Sequence, residues 1–287
     1  MVFFNIMNVS NIKNALLLVD VQNDFISGSL ALKNCPAKED GADIIPIIND
    51  EILQDQLCSQ FFSIIVYTQD WHPKSHCSFI DNIEHSHFDY QSNIVHLAKP
   101  TDVKVFDQVY LKYPLLNITY PQIMWPKHCI DNTWGAELCK DLKIAKPTGT
   151  IKDVQFLHKG CDRDIDCYSA FWSNEKFVST GLKEKLDSLS IQNVYICGLA
   201  LDICVYHTAM DSKDFGYNTY LIVDACRGVD TFKINEALVN MSDNGISIIQ
   251  ANQVYEHISN TQSQDKITNT QLKSQDKSRI RYKFFDR

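Results

Sequence analysis

The chain places a cysteine where a strand gives way to a helix. Asn193 to Gly198 is a short β-branched, apolar run closing on glycine, the pattern of a buried strand. Leu199–Ala200–Leu201–Asp202 is the tight segment after it, and a helix follows on which Val205 and Ala209 share one face. Asp202 is expected to cap that helix. Cys204 then falls in its first turn, near unpaired N–H groups and the positive end of the macrodipole, a placement that favours the nucleophilic thiolate. Other chemically capable side chains stand at the ends of other strands. Ala15 to Asp20 is a continuous apolar run ending in an acid. Phe62 to Thr68 leads into Asp70 and His72, one carboxylate and one imidazole two residues apart on a loop, a hard and a borderline metal ligand. Two ligands are too few for a tight site, and His76, His85, His87 and His128 are all open as a third. Val154 to His158 leads into Lys159. In open α/β sheets ligands bind beyond the carboxyl ends of the strands, so Asp20, Asp70, His72, Lys159 and Cys204 are expected to share one pocket.

The elements that must bring these residues together read as alternating strands and helices. Residues 42 to 57 and 180 to 189 carry helical spacing, and so do 232 to 241. Thr133 to Leu142 is expected to be a helix with a threonine cap. Thr219 to Asp224 and Gly245 to Gln250 complete six strands. The alternation predicts an α/β fold: a doubly wound, mostly parallel six-stranded sheet with helices on both faces. It forms a single domain over residues 1–260. Residues 80–122 show no clear period and read as an insertion, and 261–287 as a polar tail poor in apolar anchors.

Composition bounds the function. A chain of 287 residues with 45% hydrophobic residues can bury one large core. A formal charge of −8 argues against nucleic acid as the main partner. The N-terminal segment has no basic start and no long apolar core, so neither export nor a membrane span is expected. The ten cysteines then read as reduced thiols of a cytoplasmic, or also nuclear, protein, and none forms a Cys-x-x-Cys pair. Asp162, Asp164 and Asp166 imitate the start of a calcium loop but lack its glycine and its closing glutamate.

Five segments in order resemble one family. LLLVDVQNDF at 16–25, TQDWHP at 68–73, WPKHCIDNTWG at 125–135, HKG at 158–160 with YSAF at 168–171, and GLALDICVYHTA at 198–209 are similar to the motifs of nicotinamidases, within the isochorismatase-like cysteine hydrolases. The resemblance implies a catalytic triad of Asp20, Lys159 and Cys204. It implies metal ligands Asp70, His72 and His128, with His76 near the metal and a direct ligand only in some members. Phe25, Trp125 and Tyr168 would line a pyridine pocket. The peptide before Ala200 would be cis and would aim the Ala200 and Cys204 N–H groups into an oxyanion hole. The implied cofactor is one divalent ion, zinc above iron or manganese. The implied substrate is nicotinamide, converted to nicotinic acid and ammonia in NAD salvage. A homo-oligomer is compatible with it. The alternatives are hydrolysis of another small amide, or a binding module that has lost catalysis.

Overall fold

The computed structural model describes residues 12–93 and 99–261. Strands β1 (Asn14–Val19), β2 (Phe62–Asp70), β5 (Asp153–Lys159), β6 (Asn193–Leu199), β7 (Asn218–Arg227) and β8 (Ser247–Ile249) form one parallel sheet in the order β5-β2-β1-β6-β7-β8. β1 and β6 are buried at every position, as central strands covered on both faces must be. From β1 the chain steps outward through β2 to β5, returns across β1 to β6, and steps the other way through β7 to β8. Right-handed crossovers running in opposite directions put their helices on opposite faces, so the sheet is doubly wound and its switch point lies between β1 and β6. Gly198 makes that junction possible. It sits at φ 125, opposite Val19, and a Cβ there would lie 2.0 Å from the Val19 carbonyl oxygen.

Most helices fall where periodicity places them. They are α1 (Asn23–Ile26), α2 (Ile44–Ile47), α3 (Asp55–Phe61), α4 (Leu182–Ser188), α5 (Tyr206–Asp214) and α6 (Thr231–Asp243). The expected helix over 42–57 is broken: after α2 a wider turn runs over Ile48–Ile52, and the chain leaves helical geometry at Leu53 before α3.

Two expectations are corrected, and the 80–122 stretch has structure of its own. Thr133–Leu142 is not a helix. Only Trp134–Ala136 makes a single tight turn, because its backbone groups are engaged by the β1–α1 loop. Asn23 N–H donates to Glu137 O at 3.0 Å, Cys139 N–H to Val21 O at 2.9 Å, and Gln22 Nε2 to Ala136 O at 2.8 Å. Asp202 does not cap its own helix. Ala200 stands at the start of that turn, and the Asp202 carboxylate accepts the N–H groups of Val229 and Asp230 at 2.9 and 3.0 Å, tying the β7–α6 loop to the site. The 80–122 stretch contains an antiparallel hairpin, β3 (Gln108–Tyr113) with β4 (Ile118–Ile123). Val109, Leu111, Tyr113 and Tyr120 point into a small second core with Cys77, Ile83, Phe88, Met124 and Ile165. Tyr110, Ile118 and Pro121 on its outer face blur the alternation that would betray the strands. The expected tail over 261–287 lies outside the described residues, apart from Thr261, which ends a helical stretch over 254–261. Among the described residues no helix is long and apolar enough to cross a membrane.

Candidate active site

Four neighbouring strands deliver four reactive groups. Asp70 and Lys159 are register partners at the ends of β2 and β5. Asp20 follows β1 with φ 50, a left-handed conformation that aspartate tolerates. Its N–H donates to Thr68 O at 3.2 Å, and Thr68 Oγ1 donates to its Oδ1 at 2.6 Å. Cys204 lies in a wide turn over Leu201–Val205, where Ala200 O accepts the Ile203 and Val205 N–H groups, both at 3.1 Å. Wide turns of this kind recur at functional sites. The Leu199–Ala200 peptide is cis, as expected.

Lys159 joins them. Its side chain has no solvent exposure, and Nζ lies 2.9 Å from Asp20 Oδ2, 2.5 Å from Asp70 Oδ1, 2.9 Å from Cys167 O and 3.4 Å from Cys204 Sγ. Asp20, Asp70 and Cys204 each present an atom within 4.8 Å of the others. Burial alone would neutralise this lysine, but Asp20 and then Asp70 outweigh it, so it stays an ammonium. Burial pushes Asp20 up to about 6, with Lys159 opposing. Asp70 is held below the usual carboxylate range because Lys159, then His72 and His128, outweigh its burial. Burial pushes the Cys204 thiol well up; Lys159 opposes, and the two carboxylates add to the rise. This corrects the thiolate expected from the helix start: desolvation exceeds a dipole effect of about 0.3–1 kcal/mol. The resting site therefore holds a thiol and a proton acceptor. Asp20 Oδ2 is buried and, though ion-paired with Lys159, has no aligned hydrogen bond, so a lone pair is free for the Cys204 proton.

The predicted metal ligands converge. Asp70, His72 and His128 present ligand atoms within 4.8 Å of one another, all buried. Asp70 Oδ2 lies 3.7 Å from His72 Nε2 and 3.9 Å from His128 Nε2, a little wider than the edge of about 3.4 Å that ~2.1 Å tetrahedral bonds would give. Both ring orientations are fixed from behind: His72 Nδ1 faces Gly160 O at 2.8 Å and His128 Nδ1 faces Pro126 O at 2.9 Å. Each Nδ1 is thus the donor, which leaves Nε2 as the nitrogen that turns to a metal once its proton is given up. The donor set fits a divalent ion. Sequence distance is bridged by backbone, since His72 N–H donates to Cys129 O at 3.0 Å and Asp131 N–H to His72 O at 2.8 Å. His76 stacks on His72 at 4.2 Å between ring centroids and stands outside this trio. Its Nδ1 bonds Ser78 Oγ, its Nε2 is unpartnered, and burial, then the charge of His72, hold it down at about 3.

A pocket of about 380 Å³, mouth included, opens onto this cluster. Phe25, Trp125, Tyr168 and Ala200, the residues matched to the substrate site, all line it, with Cys204, Asp70 and His128. Asp20, Lys159, His72 and His76 lie behind that surface rather than on it. His85 and His87 are not part of the cluster. Sequence reasoning missed Leu30, Leu32, Ile203, Val229 and Asp166 on the pocket wall. Asp166 had a signal: an acid between apolar Ile165 and Cys167, and it is indeed buried.

Sheet and pocket define an α/β amidohydrolase. The chain belongs to the isochorismatase family, whose domain model matches residues 14–253. It is 40% identical over 218 residues to a nicotinamidase of Acinetobacter baylyi, covering 75% of this chain and 82% of that one. It is similar to the solved yeast nicotinamidase bound to the inhibitor nicotinaldehyde, at 27% identity and TM-score 0.64 over 83% of this chain and 99% of that one. A pyrazinamidase of Pyrococcus horikoshii in complex with zinc matches at 29% identity and TM-score 0.57, over 83% and 99% of the two chains.

Proposed function

We propose that this protein is a metal-dependent cysteine amidohydrolase that converts nicotinamide to nicotinic acid and ammonia, a step of NAD salvage in the cytoplasm. The observation that carries this is one pocket with aromatic walls onto which the Cys204 thiol and the Asp70 and His128 side chains all open. Such a pocket suits a flat ring that carries both an amide and a metal-seeking nitrogen. The relatives named above act on, or are bound to, molecules of that kind. The ten cysteines all stand as free thiols, which supports a reducing compartment.

The chemistry follows from the chain's own groups. Cys204 Sγ attacks the amide carbon as its proton passes to Asp20 Oδ2. Lys159 stabilises the sulfur and keeps the Asp20 carboxylate aimed. The oxyanion is received by the N–H groups of Ala200 and Cys204, each such donor being worth about 3 kcal/mol in comparable sites. Asp20 returns the proton to the amide nitrogen, which leaves as ammonia, and a thioester remains. Asp20 then takes a proton from water as the water attacks the thioester carbon. The tetrahedral adduct collapses, nicotinic acid leaves, and the Cys204 sulfur regains a proton. A divalent ion would be held by Asp70, His72 and His128; zinc suits one carboxylate and two imidazoles, and iron or manganese are the alternatives. When bound, it supplies a Lewis-acid contact for the pyridine nitrogen.

Ammonia release by the purified protein, with and without chelator, tests the reading. Benzamide has the same shape without the ring nitrogen, and stacking on Phe25 and Trp125 does not distinguish the two rings. Its kcat/KM should be at least about a hundredfold lower, since sites built for a polar contact reject analogues lacking it. Equal kcat/KM for the two amides would move the assignment to another small amide.

A further inference from the structure

The segment over 99–123 gives no residue to the pocket wall, yet it touches two residues that do. Two of its residues hold two aromatic walls of the pocket from behind. Phe106 sets its ring edge-on against Trp125, at 5.7 Å between centroids and 79° between planes. Gln122, at 1% exposure, donates from Nε2 to Tyr168 Oη at 3.0 Å, to Asp166 Oδ2 at 3.0 Å and to Ile123 O at 2.8 Å. Neither residue is among those lining the pocket.

Phe106 is held there against its backbone preference. Its φ is 74, a left-handed conformation costly for a bulky residue. The conformation is imposed by backbone pairing: Phe106 N–H donates to Met124 O at 2.7 Å, and Met124 N–H donates to Asp107 O at 2.9 Å. The turn before it is closed by Lys104 N–H on Asp107 Oδ2 at 2.9 Å. The ring is still 38% exposed, so burial of Phe106 itself is a weak reason for this arrangement. What the arrangement achieves is the cover of Trp125, which is 5% exposed. The Trp125 backbone is also fixed, its amide N–H donating to Ser78 O at 2.8 Å and its carbonyl accepting the Ile80 N–H at 2.8 Å.

We propose that Phe106 and Gln122 are positioning residues, through which the 99–123 segment fixes Trp125 and Tyr168 and so sets affinity for the heteroaromatic ring. This rests on the nicotinamidase reading. Asp20, Lys159 and Cys204 sit at the main sheet, so the segment should act on binding and leave the chemical step alone.

The test is Phe106→Gly beside Phe106→Tyr and Gln122→Met. Glycine takes the φ of Phe106 freely, which offsets the lost ring contact, so the thermal midpoint should move by no more than about 3 °C. KM for nicotinamide should rise between about twofold and tenfold, the range of one aromatic pair, with kcat within about twofold of wild type. Phe106→Tyr, which keeps the ring, should restore the wild-type KM, and Gln122→Met should raise KM without lowering kcat. An unchanged KM in Phe106→Gly, or a fall in kcat alone, would overturn the proposal. The wild-type rate tests the nicotinamidase reading separately: if wild type releases no ammonia, that reading fails and the positioning proposal is judged by nicotinamide dissociation constants from calorimetry.

Discussion

Replacing Lys159 by methionine removes one positive charge from between two buried carboxylates. Its Nζ stands 2.9 Å from Asp20 and 2.5 Å from Asp70, and its side chain sees no solvent. Breaking a buried pair by deleting one partner costs about 3–5 kcal/mol, because the other partner is left charged and unsolvated. A domain whose total stability is about 5–15 kcal/mol would lose about a fifth or more. The loss should depend on pH. Asp20 is already raised from 3.8 to about 6 with the lysine present, and removing its main opposing charge raises it further. A carboxyl raised in the folded state favours folding fully below its unfolded pKa, and that contribution disappears as pH climbs through the folded pKa. Lys159→Met should therefore be worst near neutral pH and regain stability as pH falls toward 5. Asp20→Asn added to it should recover stability at neutral pH by removing one stranded charge. Urea unfolding of wild type, Lys159→Met and the double variant, at about pH 7.5 and about pH 5, measures all three. A deficit under about 1 kcal/mol, a deficit no smaller in acid, or no gain from Asp20→Asn would refute the view of Lys159 as the charge that permits both acids to be buried.

Two further outcomes follow from the same geometry. Asp20 must be ionised to receive the thiol proton and is held up at about 6, so kcat/KM should fall roughly tenfold per pH unit below about 6, with an apparent pKa belonging to the coupled Asp20–Cys204 pair; a profile flat from pH 7 to 5 would exclude Asp20 as the base. Gly160→Ala would place a Cβ 2.4 Å from His72 Cε1 and 2.6 Å from Nδ1, at a φ of 65 that also favours glycine, so it should weaken metal binding about tenfold to a hundredfold without replacing a ligand; a chelator competition titration checks this, with His85→Ala as the variant expected to bind normally.

Residue types and their order determined much of this protein. A buried parallel strand must be apolar along its length, so ALLLVD, FSIIVYT and NVYICG declare themselves, and the polar residue ending each run marks the edge of the sheet where ligands bind. That logic was enough to single out Asp20, Asp70, His72, Lys159 and Cys204, whereas His128 was chosen from four histidines only by the family resemblance at 125–135. Tertiary structure decided what depends on long-range partners. Thr133–Leu142 has helical composition, yet its amides and carbonyls serve the β1–α1 loop. Asp202 looks like a cap, yet it meets N–H groups at Val229 and Asp230. The protonation of Cys204 reversed for the same reason. A helix start is visible in sequence, whereas desolvation and two facing carboxylates arise only when four strands bring their ends together. The hairpin at 108–123 pairs locally but was hidden by the apolar and proline residues on its exposed face, whereas the left-handed backbone of Phe106 against Trp125 is set by Met124, beyond the hairpin, and only the folded chain brings the two together.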